Sequence, residues 1–493
     1  MASIDNTVEY FREDYSRGIF PLETNRIIIE NSAKLLSDYV YQKILNPTED
    51  AHHFLPQSRC YAAKHGLHLR RTLKLDPVAE FFIYDLIYRN KSSFRKDFAT
   101  NRISFGHRFE NGKPIPLSKA YRDFKKAVSE ANSRFEHGLK LDVASYFNSI
   151  YHHDLVKWFD NGRDQSDIES LGQFLREINS GRSIDCLPQG IHPCKVIGAE
   201  FLKFIDNSRQ LKSALSLRFM DDIYIFSDRE QDIQHDFLLI QHLAGEKGLS
   251  FNNAKTKQGK IALEDIDEQI EEVRKELLYV RTEMVETYNG DAEEKETEEE
   301  LSLDAAQEEY LYSLLHNPDL EEMDAELILT FMSEKGEDVL EYLAVFFERF
   351  PNLSKKVFYF CKSIDDKSGL AQTIERHLNE YEPITEEQLF WFAKIAEEYL
   401  SSTQEYSSIL IKLLEHKYAT DISISKVLEI PEQRFGFPDI REQYLRVGRA
   451  DWLSWASAVG TRNMSKNNRN HILKYFSNVS QMNYLIASTV QNL

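Results

Sequence analysis

The sequence predicts an α+β domain followed by an all-α, helical-repeat-like domain, and three observations carry that prediction. First, period-two alternation recurs in HGLKLDVASYF (137–147) and LSLRFMDDIYIFSD (215–228), as on half-buried strands. Second, SDIESLGQFLREI and PCKVIGAEFLKFIDNS, which lie between those runs, have helical spacing, so strands and helices mix over residues 51–260. Third, after about residue 302 amphipathic runs such as AELILTFMSEKG, EDVLEYLAVFFERF, EEQLFWFAKIAEEYL and SSILIKLLEH follow one another with almost no alternation.

Taken in order, residues 1–50 form an N-terminal helical segment. ENSAKLLSDYVYQKI (30–44) places Leu35, Leu36, Val40 and Ile44 on one helical face, and Asn46-Pro47 ends it. A basic segment follows, in which HLRRTLKL alternates like a strand. RISFGHRFENGKPIP (102–116) predicts a hairpin, because Asn111-Gly112 favours a tight turn. Residues 261–301 form a connector: EDIDEQIEEVRKELLYVRTEMVE reads as a helix and TYNGDAEEKETEEE as an acidic linker. Residues 302–493 make up the helical domain.

Composition narrows the function classes. Of the 493 residues, 42% are hydrophobic and 12% aromatic, enough for packed cores, and no run is long and apolar enough for a membrane helix. The N-terminus, MASIDNTVEYFREDYSRG, is acidic where an export signal would be basic, so a cytoplasmic protein without membrane partners is expected. Four cysteines (Cys60, Cys186, Cys194, Cys361) lack CxxC spacing and predict neither disulfides nor zinc. The net charge of −20 hides an asymmetry: residues 51–130 carry 16 Lys and Arg against 7 Asp and Glu, whereas residues 261–310 carry 4 against 19. A nucleic-acid partner therefore stays open for the basic quarter.

An isolated Asp-Asp pair is most often a solvated acidic turn, but its context makes Asp221-Asp222 the informative element. Adjacent carboxylates at a hairpin tip repel each other where Asn-Gly or Asp-Gly would turn at less cost, which predicts a cationic counterpart. Asp142 ends another apolar strand 79 residues upstream, and neighbouring strands would bring the three carboxylates together. Two Mg²⁺ ions, or Mn²⁺ in their place, held by such a set would activate a 3′ hydroxyl and stabilise leaving pyrophosphate.

The series LKLDVASYFNSIYH, LPQGIHPCKVIG, FMDD and GLSFNNAKT resembles motifs A to D of reverse transcriptases, in order and within about 120 residues. The resemblance implies a right-hand palm and fingers, with Asp142 and Asp221 as metal ligands and Asp222 at the primer end. It places Phe147 at the position that excludes a ribose 2′ hydroxyl, although Tyr146 and Phe147 equally suit core packing. Gln189 and Gly190 fall in the nucleotide-contacting motif B. Lys255 falls where a lysine would protonate pyrophosphate. Family spacing favours Lys64 and Arg71 as triphosphate ligands; each also reads as an ordinary cation of a basic strand. Arg89, Phe94, Arg95, Arg102, Phe105 and Arg108 are further candidates for backbone and base contact. Phe219 stands where Tyr is usual in motif C, and Cys194 where Ser is common in motif B.

With DPVAEFFIYDLIYRNKSSFR, RISFGHRFENGKPIP and the helical half, the chain looks like the bacterial abortive-infection polymerases, particularly the short prophage-encoded type. That resemblance implies anti-phage defence and a homo-oligomer, with a trimer expected. It also implies template-independent synthesis from dNTPs, primed by a protein hydroxyl that stays attached to a single-stranded DNA product. Tyr10 and Tyr15, on a segment expected to be mobile, are the priming candidates and equally suit packing. His52-His53 and His152-His153 lack a metal-site pattern, and Trp391, Trp452 and Trp455 suit a helical core.

Overall fold

The computed structural model describes residues 2–46, 52–94, 99–110, 112–115, 117–160, 163–182, 187–259 and 305–493. The helix and linker expected over 261–301 lie outside the described residues, as do Cys186 and Arg95.

Helices α1 (Ala2–Tyr15) and α2 (Glu23–Tyr39) open the chain, and α2 continues as one π turn through Val40–Ile44. The helix expected from Glu30 therefore starts earlier, at Glu23. The expected mobile N-terminal segment is instead part of the core: Tyr10 and Phe11 are buried, and Tyr10 meets the rings of Tyr84, Tyr88 and Phe109. Its amphipathic spacing gave α1 an apolar face, and α2 and α3 (Pro77–Arg89) cover that face. Asp76 caps α3 by accepting from the Val78 and Ala79 N–H groups, with Pro77 at the first helical position.

Before α3, strands β1 (Ser58–Ala63) and β2 (Leu69–Lys74) form an antiparallel hairpin whose tip has Gly66 and Leu67 at left-handed φ. Strand β3 (Arg102–Phe105) follows. Strands β4 (Phe109–Glu110) and β5 (Lys113–Pro114) then pair antiparallel, with Gly112 at φ +84°; Asn111 of the expected turn lies outside the described residues. Helix α4 (Leu117–Arg134) leads to β6 (His137–Asp142), and α5 (Tyr146–Ser149), α6 (His152–Phe159), α7 (Gln165–Ile178), α8 (His192–Phe201) and α9 (Lys203–Asp206) come next. Strands β7 (Leu215–Phe219) and β8 (Asp222–Ser227), helix α10 (Glu230–Gly245) and β9 (Lys257–Gly259) complete the mixed part.

The central sheet has the order β3-β7-β8-β6-β9, with only β3 and β7 parallel. Alternation assigns its two faces. Leu217, Tyr224 and Phe226 pack under Phe124, Val128 and Ala131 of α4, while Leu139, Leu141, Ile223 and Ile225 join the main core.

The described residues after 304 form helices alone: α11 (Ala305–Leu315), α12 (Glu322–Phe331), α13 (Gly336–Leu340), α14 (Leu343–Arg349), α15 (Ser354–Phe360), α16 (Lys367–Glu380), α17 (Glu386–Tyr399), α18 (Tyr406–Glu415), α19 (Asp421–Leu428), α20 (Phe437–Arg446), α21 (Trp452–Gly460), α22 (Lys466–Phe476) and α23 (Gln481–Gln491). The single helix expected over EDVLEYLAVFFERF is split into α13 and α14. These helices pack directly on the mixed part. Leu22, the residue before α2, offers no side-chain cap; buried Glu429 supplies one, accepting from Glu23 N (2.9 Å), Thr24 N (2.9 Å) and Thr24 Oγ1 (3.0 Å). Lys426, fully buried, donates to Glu429 (2.9 Å) and to Glu397 (2.5 Å), so the capping carboxylate is paired with a cation.

Candidate active site

Strand pairing brings the aspartates together. Asp142 and Asp222 are direct partners in the β6–β8 register, and directly opposed residues of an antiparallel pair share one face of the sheet. Asp221 occupies the turn between β7 and β8, where Phe219 pairs with Asp222. Met220 holds φ +54°, a left-handed value expensive for a residue with a Cβ. Buried Arg218 stabilises this turn: Nη1 donates to the Met220 carbonyl (2.9 Å), while Nε donates to Asp206 Oδ2 (2.9 Å). On the β6 side, Asn252 N donates to the Asp142 carbonyl (2.8 Å) and Ala144 N to the Ser250 carbonyl (2.8 Å), which ties motif D to motif A.

The charge balance fits oxygen ligands with too few cations of their own. Burial pushes the Asp221 carboxyl up to about 6, with Asp222 and Asp142 adding to the rise and Lys255 opposing it. Asp222 is raised in the same way, by burial first, against Lys140 and Lys255. Lys255 Nζ lies 3.2 Å from Asp142 Oδ1, and Lys140 Nζ lies 4.0 Å from Asp222 Oδ1. Among the described residues no group of three or more His, Cys, Asp or Glu side chains is placed so that it could hold a metal ion. The set is nonetheless all oxygen and collected at the ends of two central strands, which is the ligand chemistry of a hard divalent cation.

Lys64, at the end of β1, belongs to the same neighbourhood. Burial lowers its ammonium, as do Arg70 and Lys255, while Asp142 and Asp221 pull it the other way. Arg70, beside the favoured Arg71, is thus the hairpin cation that acts most strongly on Lys64. Arg71 is opposite Tyr61 on β2, and its carbonyl accepts from Gln189 Nε2 (3.3 Å). Gln189 N donates to Thr72 Oγ1 (2.8 Å), so motif B is stitched to the hairpin by backbone and amide groups. Gly190 has φ +94°, and a Cβ there would stand 2.7 Å from Ile19 Cγ1.

Phe147 follows Ser145, itself at φ +48°, and packs edge-on against Tyr146. Both rings clasp Gly198 of α8: Tyr146 donates to the Gly198 carbonyl (2.7 Å), and a Cβ on Gly198 would lie 3.0 Å from Phe147 Cζ. Cys194 is fully buried in α8, and burial raises its thiol.

The tyrosines behave differently from the aspartates. Tyr10 is 2% exposed, and its hydroxyl meets His192 Nδ1 at 2.6 Å. Tyr15 donates to the Pro21 carbonyl (2.9 Å) and to Glu23 Oε1 (3.1 Å). Burial raises both phenols well above the usual range. Sequence reasoning missed Arg218 and Lys140. An Arg at an inward position of the apolar strand LSLRF was the available signal, since a buried guanidinium demands a buried acid.

Residues 88–287 match the family model described as reverse transcriptase (RNA-dependent DNA polymerase), the stretch that contains all three aspartates. No curated protein matches the chain. Among solved structures, apo telomerase from Candida tropicalis is 10% identical with a TM-score of 0.30, over 81% of this chain and 73% of that one. Telomerase from Candida albicans, in complex with a fragment of telomeric RNA, is 12% identical with a TM-score of 0.31, over 94% and 69%. Likeness at that level carries no functional argument. The family match makes the chain a nucleotidyltransferase with a reverse-transcriptase-like polymerase segment.

Proposed function

We propose that the chain extends DNA from dNTPs by two-metal nucleotidyl transfer and serves as an abortive-infection polymerase in the cytoplasm. One observation carries the reading: Asp142 and Asp222 stand opposite each other in register, with Asp221 on the adjoining turn. Asp142, Asp221 and Asp222 would hold Mg²⁺ or Mn²⁺, and the ions would supply activation of the attacking hydroxyl and neutralisation of pyrophosphate. Lys64 and Arg71 would grip the triphosphate, with Gln189 and Gly190 beneath the nucleotide. Phe147, braced by Gly198, would turn away a ribose 2′ hydroxyl. Lys255, already paired with Asp142, would deliver the proton to pyrophosphate.

The finer version is template-independent, protein-primed synthesis by a homo-oligomer, with a trimer proposed, leaving single-stranded DNA attached to the chain. Its support is the order of the four motifs followed by a helical half, with the division at 1–50, 51–260, 261–301 and 302–493. Tyr10 or Tyr15 could prime only after leaving the contacts described above. The family description favours an RNA template as the second reading. Incubating the purified chain with Mg²⁺ and labelled dNTPs alone separates the two. A protein-linked band that resists RNase supports self-priming, whereas label that appears only after RNA is added supports templated synthesis. If Asp142→Asn/Asp221→Asn preserves phage resistance, the chain acts as a non-catalytic sensor instead.

A further inference from the structure

The β1–β2 hairpin bears Lys64, yet its outer edge is not left to solvent. Tyr61 N donates to Glu386 Oε2 (2.8 Å) and Ala63 N donates to Glu387 Oε2 (2.7 Å), both from the first turn of α17 in the helical half. Two residues further, at the hairpin tip, His65 Nδ1 meets Glu322 Oε2 of α12. Alternate positions 61, 63 and 65 are therefore held by three carboxylates, and Lys64 lies among them.

The carboxylates are themselves fixed. Thr420 Oγ1 donates to Glu386 Oε1 (2.6 Å), and Asn352 Nδ2 donates to Glu322 Oε1 (2.7 Å). Thr385 and Gln388 close a capping box that sets the start of α17. Glu386 and Glu387 are 8% and 7% exposed, so the bonds they accept are shielded from water. Arg70, opposite Ala62, also lies within electrostatic reach of Glu387. The helix start favours carboxylates at these positions, although burial raises both carboxyls, that of Glu387 to about 7.

We propose that Glu386, Glu387 and Glu322 are positioning residues for nucleotide binding, through which the helical half holds in place the hairpin that carries Lys64. A two-stranded hairpin is marginal alone, and its exposed edge would fray. Supplying that edge with acceptors from α17 fixes Lys64 without any contact between α17 and the triphosphate. The inference rests on the polymerase reading for the role of Lys64, and its structural half stands apart from it.

The test uses the full chain with Glu386→Ala/Glu387→Ala and with Glu386→Gln/Glu387→Gln, whose amide oxygens still accept. Hydrogen exchange reads the Tyr61 and Ala63 amides, and titration with dATP reads affinity. The alanine pair should lose amide protection and bind dATP about tenfold more weakly, about 1.4 kcal/mol, raising the KM for dATP more than it lowers kcat. The glutamine pair should recover most of both. Lost protection with unchanged dATP affinity, or retained protection in the alanine pair, would overturn the proposal. If the alanine pair does not fold, Glu322→Ala carries the test: weaker dATP binding with unaltered thermal unfolding supports it, and unaltered binding overturns it. A wild-type chain that binds dATP yet incorporates none contradicts the polymerase reading alone.

Discussion

Replacing Arg218 tests how the catalytic turn is held. Its side chain is fully buried and Asp206 is 5% exposed, so Arg218→Met leaves a carboxylate buried without its partner. Losing one member of a buried pair costs about 3–5 kcal/mol, which a urea melt followed by circular dichroism resolves easily. The second replacement, Asp206→Leu, removes the orphan charge. Apolar pairs of similar volume often match buried ion pairs, so Arg218→Met/Asp206→Leu should regain most of the lost stability. Activity should not follow. The Met220 carbonyl still lacks the donor now 2.9 Å away, and Met220 holds a left-handed φ whose cost is roughly 1–2 kcal/mol. The turn then relaxes and Asp221 moves from its place beside Asp142. Incorporation of labelled dNTP by the double variant should stay at least about tenfold below wild type, as loss of one such bond at the reacting centre implies. A double variant that recovers stability and full activity together would refute the assignment of Arg218 to the turn.

Gly198→Ala puts a Cβ 3.0 Å from Phe147 Cζ, so it should destabilise by about 1–3 kcal/mol and displace that ring; competition between dATP and ATP checks whether sugar discrimination weakens. Lys426→Met removes the buried cation that Glu397 and Glu429 share, leaving Lys394 and Arg462, each 4.0 Å from Glu397, and should cost about 3–5 kcal/mol in a urea melt. Burial lowers the His192 imidazole to about 4, so the folded chain resists a proton that the unfolded chain accepts near 6.5. Stability from this residue is complete above pH 6.5 and falls on acidification toward pH 4, by roughly 3 kcal/mol in all. His192→Gln should flatten that part of the stability-against-pH curve.

Much of the polymerase segment is legible in the sequence because its signals are local. Alternation in HGLKLDVASYF and LSLRFMDDIYIFSD sets β6, β7 and β8, and one shared register then places Asp142 opposite Asp222. The β4–β5 pairing likewise joins residues that are neighbours in the chain. What escaped depends on partners far away in the chain. Tyr10 is buried because α3 and α8 happen to surround it, and nothing near Tyr10 encodes His192. The remote cap from Glu429 onto α2, and the bonds of Glu386 and Glu387 to β1, join residues hundreds of positions apart through single carboxylates. Such contacts leave no periodicity. Arg218 stands between these cases, since its charge within an apolar strand was visible but its partner was not.

The most direct test compares incorporation of radiolabelled dATP by the wild-type chain with that by Asp142→Asn and by Asp221→Asn, each shown to be folded, in Mg²⁺. Wild-type incorporation reduced at least about a thousandfold in either variant is the predicted result, since each removes a charge that acts on the transition state. Equal incorporation by all three proteins would contradict the assignment of these aspartates to the reacting centre.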